Sequence, residues 1–333
     1  MHRRLGLATA VAAAVATVVT SGVAPPAQAA TAPSAPRRAT ATQSVGIVDI
    51  VASLADGGWA AGTGMVVTPF GDVLTNHHVI AGALSLTVTV ASTGRVYTAT
   101  VLGYDRSQDV ALLHLTGAVG LRTVSISRAG VVPRQSVVGV GNAGGVGGRP
   151  IAAAGRVVGA GRTIVAVDAG SGASERLTGL IEASARIAPG DSGGPLENAA
   201  GAVVGMDTAG APSGFGPGYA IPILRAMSIV SAIRAGHATR TIHVGASALL
   251  GVAVSIAGSP LVLAVTAGTA ADRAGLAPGD VITSVAGHRV ASAAALSAVM
   301  QTLRAGSVVS VTWLDPAGVG RAADVTMTAG PTA

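Results

Sequence analysis

Short apolar runs bounded by glycine recur along the chain from Val45 onward. Residues 47–54, 60–67, 73–75, 84–90, 96–104 and 110–115 read as one set of strands. A second set follows Pro133, at 136–141, 151–158, 163–168, 176–182, 203–207 and 218–221. Two groups of about six short strands suit two small barrels with a cleft between them. Residues 223–235 then have helical spacing and close this part of the chain. Beyond a short connector the pattern changes. Strands are expected at 261–265, 308–314 and 324–328, with a helix at 293–303. The run 5–23 is rich in Ala and Val and stands apart from both patterns.

Composition sharpens this picture. Of 333 residues, 50% are hydrophobic but only 2% aromatic, so the cores must be built from Val, Ala, Leu and Ile. The 47 glycines and 16 prolines supply the many turns that short strands require. Every one of the 21 basic residues is arginine, and these are scattered, with no aromatic platform near the one adjacent pair of the mature region, Arg37-Arg38. That distribution argues against nucleic acid as a partner. Cysteine is absent, which excludes disulfides, cysteine-ligated zinc and a thiol nucleophile.

Arg3-Arg4, the apolar run and Ala27-Gln28-Ala29 together read as an export signal cut before Ala30. The alternative is an uncleaved anchor over residues 5–24, since the run approaches spanning length. Pro25-Pro26 and the Ala and Thr content favour cleavage, which takes the formal charge from +6 to +4 as Arg3 and Arg4 leave. Residues 30–44 have the composition of a disordered linker.

The chemistry centres on Gly190-Asp191-Ser192-Gly193-Gly194-Pro195. Glycines around a serine allow a strained turn and close approach of an acyl group. The N–H groups of Gly190 and Ser192, with that of Asp191 between them, are placed to meet an oxyanion. A serine needs a base and a group that orients it. Upstream, Thr75-Asn76-His77-His78-Val79 offers two histidines, and Asp105-Arg106-Ser107-Gln108-Asp109-Val110-Ala111-Leu112 offers two carboxylates. Asp109 leads directly into an apolar strand that would bury it, whereas Asp105 sits in turn chemistry. The order His, Asp, Ser differs from that of the α/β-hydrolases, and no nucleophile elbow of that kind is present. No His/Asp/Glu grouping has metal spacing, and no nucleotide fingerprint occurs, so neither a metal nor a cofactor is expected.

The Thr-Asn-x-His-Val, Asp-Val-Ala-Leu and Gly-Asp-Ser-Gly-Gly-Pro-Leu segments resemble those of HtrA (Deg) serine proteases. The resemblance implies a mostly β fold, a chymotrypsin-like double β-barrel followed by an α+β PDZ domain. It selects His78 over His77 and assigns His78, Asp109 and Ser192 as the catalytic triad, with Gly190, Asp191 and Ser192 at the oxyanion hole. Asp191 departs from the Asn common in the family, and a turn carboxylate is the plainer reading. The segments around Arg186 and around Met206, Asp207 and Thr208 would line the substrate pocket. Arg186, if turned inward, would disfavour basic side chains; if turned outward, it leaves a small apolar pocket.

The run Ala274-Gly275-Leu276-Ala277-Pro278-Gly279-Asp280-Val281-Ile282 and the preceding Leu249-Leu250-Gly251-Val252 look like a PDZ domain. Leu250, Gly251, Val252 and Val254 would then hold a peptide C-terminus by strand addition. The expected division is a leader at 1–29, a linker at 30–44, a peptidase domain at 45–235, a connector at 236–244 and a PDZ domain at 245–330. The expected function is hydrolysis of exported polypeptides outside the cytoplasm. A silent, peptide-binding scaffold is the alternative. Family trimers are held by N-terminal aromatics, and this chain has none before Trp59, which argues against a homo-trimer.

Overall fold

A computed structural model describes residues 14–17, 35–54, 58–168, 174–209, 217–255, 257–300 and 302–330. The chain divides into two compact units, Met1–Val244 and Gly245–Ala333. The architecture is mostly β, as the strand pattern and the resemblance both imply.

Six strands close the first barrel: β1 (Ile47–Leu54), β2 (Trp59–Val66), β3 (Asp72–Thr75), β4 (Ala83–Val90), β5 (Val96–Asp105) and β6 (Val110–Leu115). Each is antiparallel to its neighbours in the circuit β1-β2-β3-β6-β5-β4 and back to β1. Closure leaves no open edge within the circuit. Its interior holds Val48, Ile50, Val73, Val88 and Leu113, all fully buried. A four-residue helix, α1 (His77–Ile80), leaves β3 and tucks Val79 and Ile80 into this core.

The second barrel repeats the plan with β7 (Ser136–Gly141), β8 (Ile151–Asp168), β9 (Ser174–Ala183), β10 (Pro195–Asn198), β11 (Ala202–Ala209) and β12 (Gly218–Pro222). The circuit runs β7-β10-β11-β12-β9-β8 and returns to β7. Two details differ from the sequence pattern. The runs 151–158 and 163–168 are one long strand. The glycines between them form bulges against β9, with register shifts between Val157 and Ile164, instead of a turn. The strand β10 has no apolar run to mark it; its proline takes the first strand position, where a missing N–H is tolerated.

Helix α2 (Ile223–Arg234) buries Ala226, Val230 and Ile233 in a cluster that also contains Met65, Leu74 and Leu112 of the first barrel and Leu180, Val203 and Met206 of the second. This shared apolar seam fixes one barrel against the other. A last strand, β13 (Ile242–Val244), lies in the stretch expected as a connector and pairs antiparallel with β5. Within the expected linker, Arg37–Arg38 pair with Ile151 and Ala152, and Ala39 is fully buried beside Val140 and Ala152. The export-signal residues lie outside the described ones, apart from Ala14–Thr17, a short strand along Val165–Asp168. Among the described residues no helix is long and apolar enough to cross a membrane.

The second unit has its own core, including Leu250, Val262, Ile282, Leu296, Val311 and Trp313. Its elements are β14 (Val252–Val254), β15 (Val262–Val265), α3 (Ala270–Ala274), β16 (Val281–Val285), α4 (Ala293–Met300), β17 (Val308–Leu314) and β18 (Gly320–Thr326).

Candidate active site

His78 lies in the second position of α1, the turn that follows β3. Its Nδ1 is 2.9 Å from Oδ2 of Asp109, and its backbone N–H donates to Oδ1 of the same carboxylate at 3.0 Å. Asp109 ends a 3-10 turn begun by Asp105, whose side chain accepts from Ser107 Oγ at 2.7 Å and from the Gln108 N–H at 3.3 Å. The backbone at Asp109 is left-handed, φ 53°, a conformation that Asp tolerates better than most residues. The Asn76 amide donates to the Asp109 carbonyl at 2.9 Å, and the Thr208 hydroxyl donates to Oδ2 in a short bond. The Asp109 side chain is 2% exposed and that of His78 17%. Burial works to raise the Asp109 carboxyl. The His78 charge, the ring and backbone bonds from His78 and the Thr208 hydroxyl outweigh it, holding the carboxyl below its usual range. Asp109 is therefore held as a carboxylate against the Nδ1 side of His78.

Ser192 stands on the turn before β10 in the second barrel. Its hydroxyl donates to the Thr208 carbonyl at 3.4 Å. Gly190 and Gly193 both adopt left-handed backbone, φ 96° and 86°. At Gly193 a Cβ would strike the Thr63 carbonyl and the Thr75 hydroxyl, so only glycine lets the turn sit this close to the first barrel. Thr63 stitches the two barrels here. Its hydroxyl donates to the Gly190 carbonyl at 2.7 Å and accepts from the Asn142 N–H at 2.8 Å, while its own N–H donates to the Ser192 carbonyl at 2.8 Å. Sequence reasoning missed Thr63, whose only signal was its place in Gly62-Thr63-Gly64 ahead of the histidine.

The Pro189 carbonyl accepts from the Gly144 N–H at 2.7 Å. Among the described residues the N–H groups of Gly190 and Ser192 donate to no acceptor. The N–H of Asp191, expected between them, instead donates to the Ala188 carbonyl at 3.0 Å and tightens the turn. The turn-carboxylate reading of Asp191 fits its side chain, which accepts from the Ala188 N–H at 2.8 Å through Oδ2.

Beneath the turn lies a set of acids that the sequence did not reveal as buried. Burial pushes Asp191 and Glu197 each up to about 7. Asp207 is raised well above the ordinary carboxylate range by burial first and then by the neighbouring Asp191 and Glu197. Among the described residues neither carboxyl oxygen of Asp207 has a hydrogen-bond partner, and Oδ2 would meet a Cβ at Gly139 at 2.9 Å.

Of the expected pocket residues, Met206 is fully buried in the seam between the barrels and Asp207 is sealed beneath the turn. Thr208 donates to the Asp109 carboxylate, and Arg186 is half-buried. In the second unit, Leu250 is buried and its carbonyl accepts from the Ala271 N–H at 2.7 Å. Gly251, φ 88°, packs its Cα against the Thr269 side chain, leaving no room for a Cβ. Val252 and Val254 lie on β14, which pairs with β15.

Residues 62–206 match the trypsin-like peptidase domain, and 261–315 match the PDZ domain. Serine protease PepD of Mycobacterium tuberculosis is 31% identical over 292 residues, covering 80% of this chain and 60% of that protein. Protease Do-like 1, chloroplastic, of Arabidopsis thaliana is 32% identical over 270 residues, covering 75% of this chain and 60% of that one. The chain spans about three fifths of the length of the curated relatives it matches. Among solved structures, HtrA-type protease AlgW with tripeptide aligns at 26% identity and a TM-score of 0.49, covering 88% of this chain and 99% of that one.

Proposed function

Because this chain is HtrA/Deg-like, with a trypsin-like peptidase domain followed by a PDZ domain, we propose that it is an exported serine endopeptidase. The observation that carries the reading is the buried Asp109 carboxylate on His78 Nδ1, in the same unit as a serine turn with two unspent N–H donors.

Ser192 attacks the scissile carbonyl after its hydroxyl swings from the Thr208 carbonyl toward His78 Nε2. In a substrate-free site such a bond commonly forms only on binding. His78 takes the proton, Asp109 supports the imidazolium without itself being protonated, and His78 then protonates the leaving amine. The oxyanion is met by the N–H groups of Gly190 and Ser192, which do not need to be freed from other bonds. Misfolded or specific exported polypeptides are the substrates. The second unit, through Leu250, Gly251, Val252 and Val254, takes a peptide C-terminus along β14.

A fluorophosphonate probe tests the chemistry. The intact protein should be labelled in a time-dependent way, and Ser192→Ala should abolish labelling while the fold persists by circular dichroism. Labelling that survives in Ser192→Ala, or a folded wild type that never reacts, overturns the proposal in favour of a silent peptide-binding scaffold.

A further inference from the structure

The strand β13 is the last element of the first unit, and its position bears on both members of the base pair. In register, His243 lies opposite Tyr104, with Ile242 opposite Asp105 and Val244 opposite Gly103. The approach is close: a side chain at Gly103 would meet the His243 carbonyl and the Ile233 side chain. The His243 ring stacks on Tyr104 with centroids 4.9 Å apart and planes 17° from parallel. Tyr104 in turn meets the ring of His77 at 4.7 Å. Tyr104 and His77 are both buried, so this column of three rings runs inward from β13.

The column ends where the catalytic pair begins. His77 opens the helical turn α1, its carbonyl accepts from the Ala81 N–H at 3.0 Å, and the next residue is His78. Tyr104 is followed by Asp105, whose side chain organises the turn ending at Asp109. One docked strand thus clamps the segments that carry the imidazole and its carboxylate. Ring pairs at such distances are held by the attraction between their quadrupoles in addition to the area they bury, so displacing one ring costs more than displacing an aliphatic side chain of the same area.

We propose that His243 is a positioning residue for the triad: through Tyr104 and His77, the docked strand β13 holds His78 and Asp109 in bonding register. Undocking β13 would then slow turnover without weakening substrate binding. The functional part of this inference rests on the peptidase reading; the structural part does not.

The test uses the full chain with His243→Ala and, as rescue, His243→Phe, which keeps a flat ring. Two readouts are needed: kcat and KM on a short peptide substrate, and the low-field proton NMR signal of His78 Nδ1–H bonded to Asp109. His243→Ala should lower kcat about tenfold with KM within twofold, and should broaden or remove the low-field signal. His243→Phe should restore both. Wild-type kcat and an intact signal in His243→Ala would overturn the proposal, and so would a defect that His243→Phe fails to relieve. Should the wild type prove inert to fluorophosphonate, the peptidase reading fails alone. The NMR signal then still decides whether His243 positions the pair.

Discussion

Asp191 and Asp109 are both buried aspartates next to the chemistry, yet their surroundings drive them in opposite directions. Asp109 receives a charged partner and several donors, so it is held ionised. Asp191 has one backbone donor, on Oδ2, and its Oδ1 has no partner among the described residues. Burial therefore raises it to about 7. Folding favours its protonated form. The associated stability is complete below the unfolded value near 4 and is lost as pH rises through about 7. Asp207 and Glu197 are raised in the same direction. Asp191→Asn keeps the acceptor for the Ala188 N–H but cannot ionise. Its stability relative to wild type should improve from about pH 4 to about pH 7 and then level off. The gain should reach roughly 4 kcal/mol, since each tenfold change in proton affinity is worth about 1.4 kcal/mol. Urea melts across that range would check this, and a pH-independent difference would contradict it. The identity of the acids was plain in the sequence, but their burial was not. Nothing in Gly-Met-Asp-Thr says that Asp207 of β11 is sealed beneath the serine turn.

Among the elements, β2 carries more of the site than its apolar pattern suggested. It delivers Thr63 to the nucleophile turn across a sequence separation of 127 residues. Thr63→Val keeps the shape but leaves the Gly190 carbonyl and the Asn142 N–H without this partner. The expected cost is roughly 2–6 kcal/mol, at about 1–3 kcal/mol for each of the two buried groups left unsatisfied. The fluorophosphonate labelling rate should fall at least tenfold as the turn loosens. Unchanged labelling would mean that Gly193 and the remaining backbone bonds suffice to hold it.

Most strands were legible because short apolar runs between glycines have few other solutions in a chain this poor in aromatics. Boundaries at 47–54, 110–115 and 136–141 agree with the structure to the residue. The long β8 reads as two strands because Gly159 and Gly161 look like a turn when the bulged partner β9 is unseen. Strand β10 escapes notice because four residues beginning with proline carry no periodicity. The role of β13 depends on a partner strand far upstream, and no local pattern could announce it.

At the scale of the whole molecule, two closed barrels and a separate second unit follow from the strand count and the change of pattern after residue 235. The His78–Asp109 pair and the glycine-rich turn at Ser192 were legible because their motifs are local and specific. Their partners were not, since Thr63, Thr208 and His243 make their contacts across strands or between barrels. Each barrel is a closed circuit, while His78 and Ser192 stand on different circuits joined by the apolar seam around Met65, Leu112, Met206 and Ile233. On the proposed mechanism, reactivity at Ser192 would work as an alignment gauge: a slip between the barrels of a fraction of a bond length would disarm the serine while every strand remained paired. In rising urea, the labelling rate should fall at a lower concentration than the far-ultraviolet circular dichroism. Coincident curves would show instead that the barrels let go of each other only when they come apart themselves. On that mechanism, a protein built this way would be switched off by misalignment before it is destroyed.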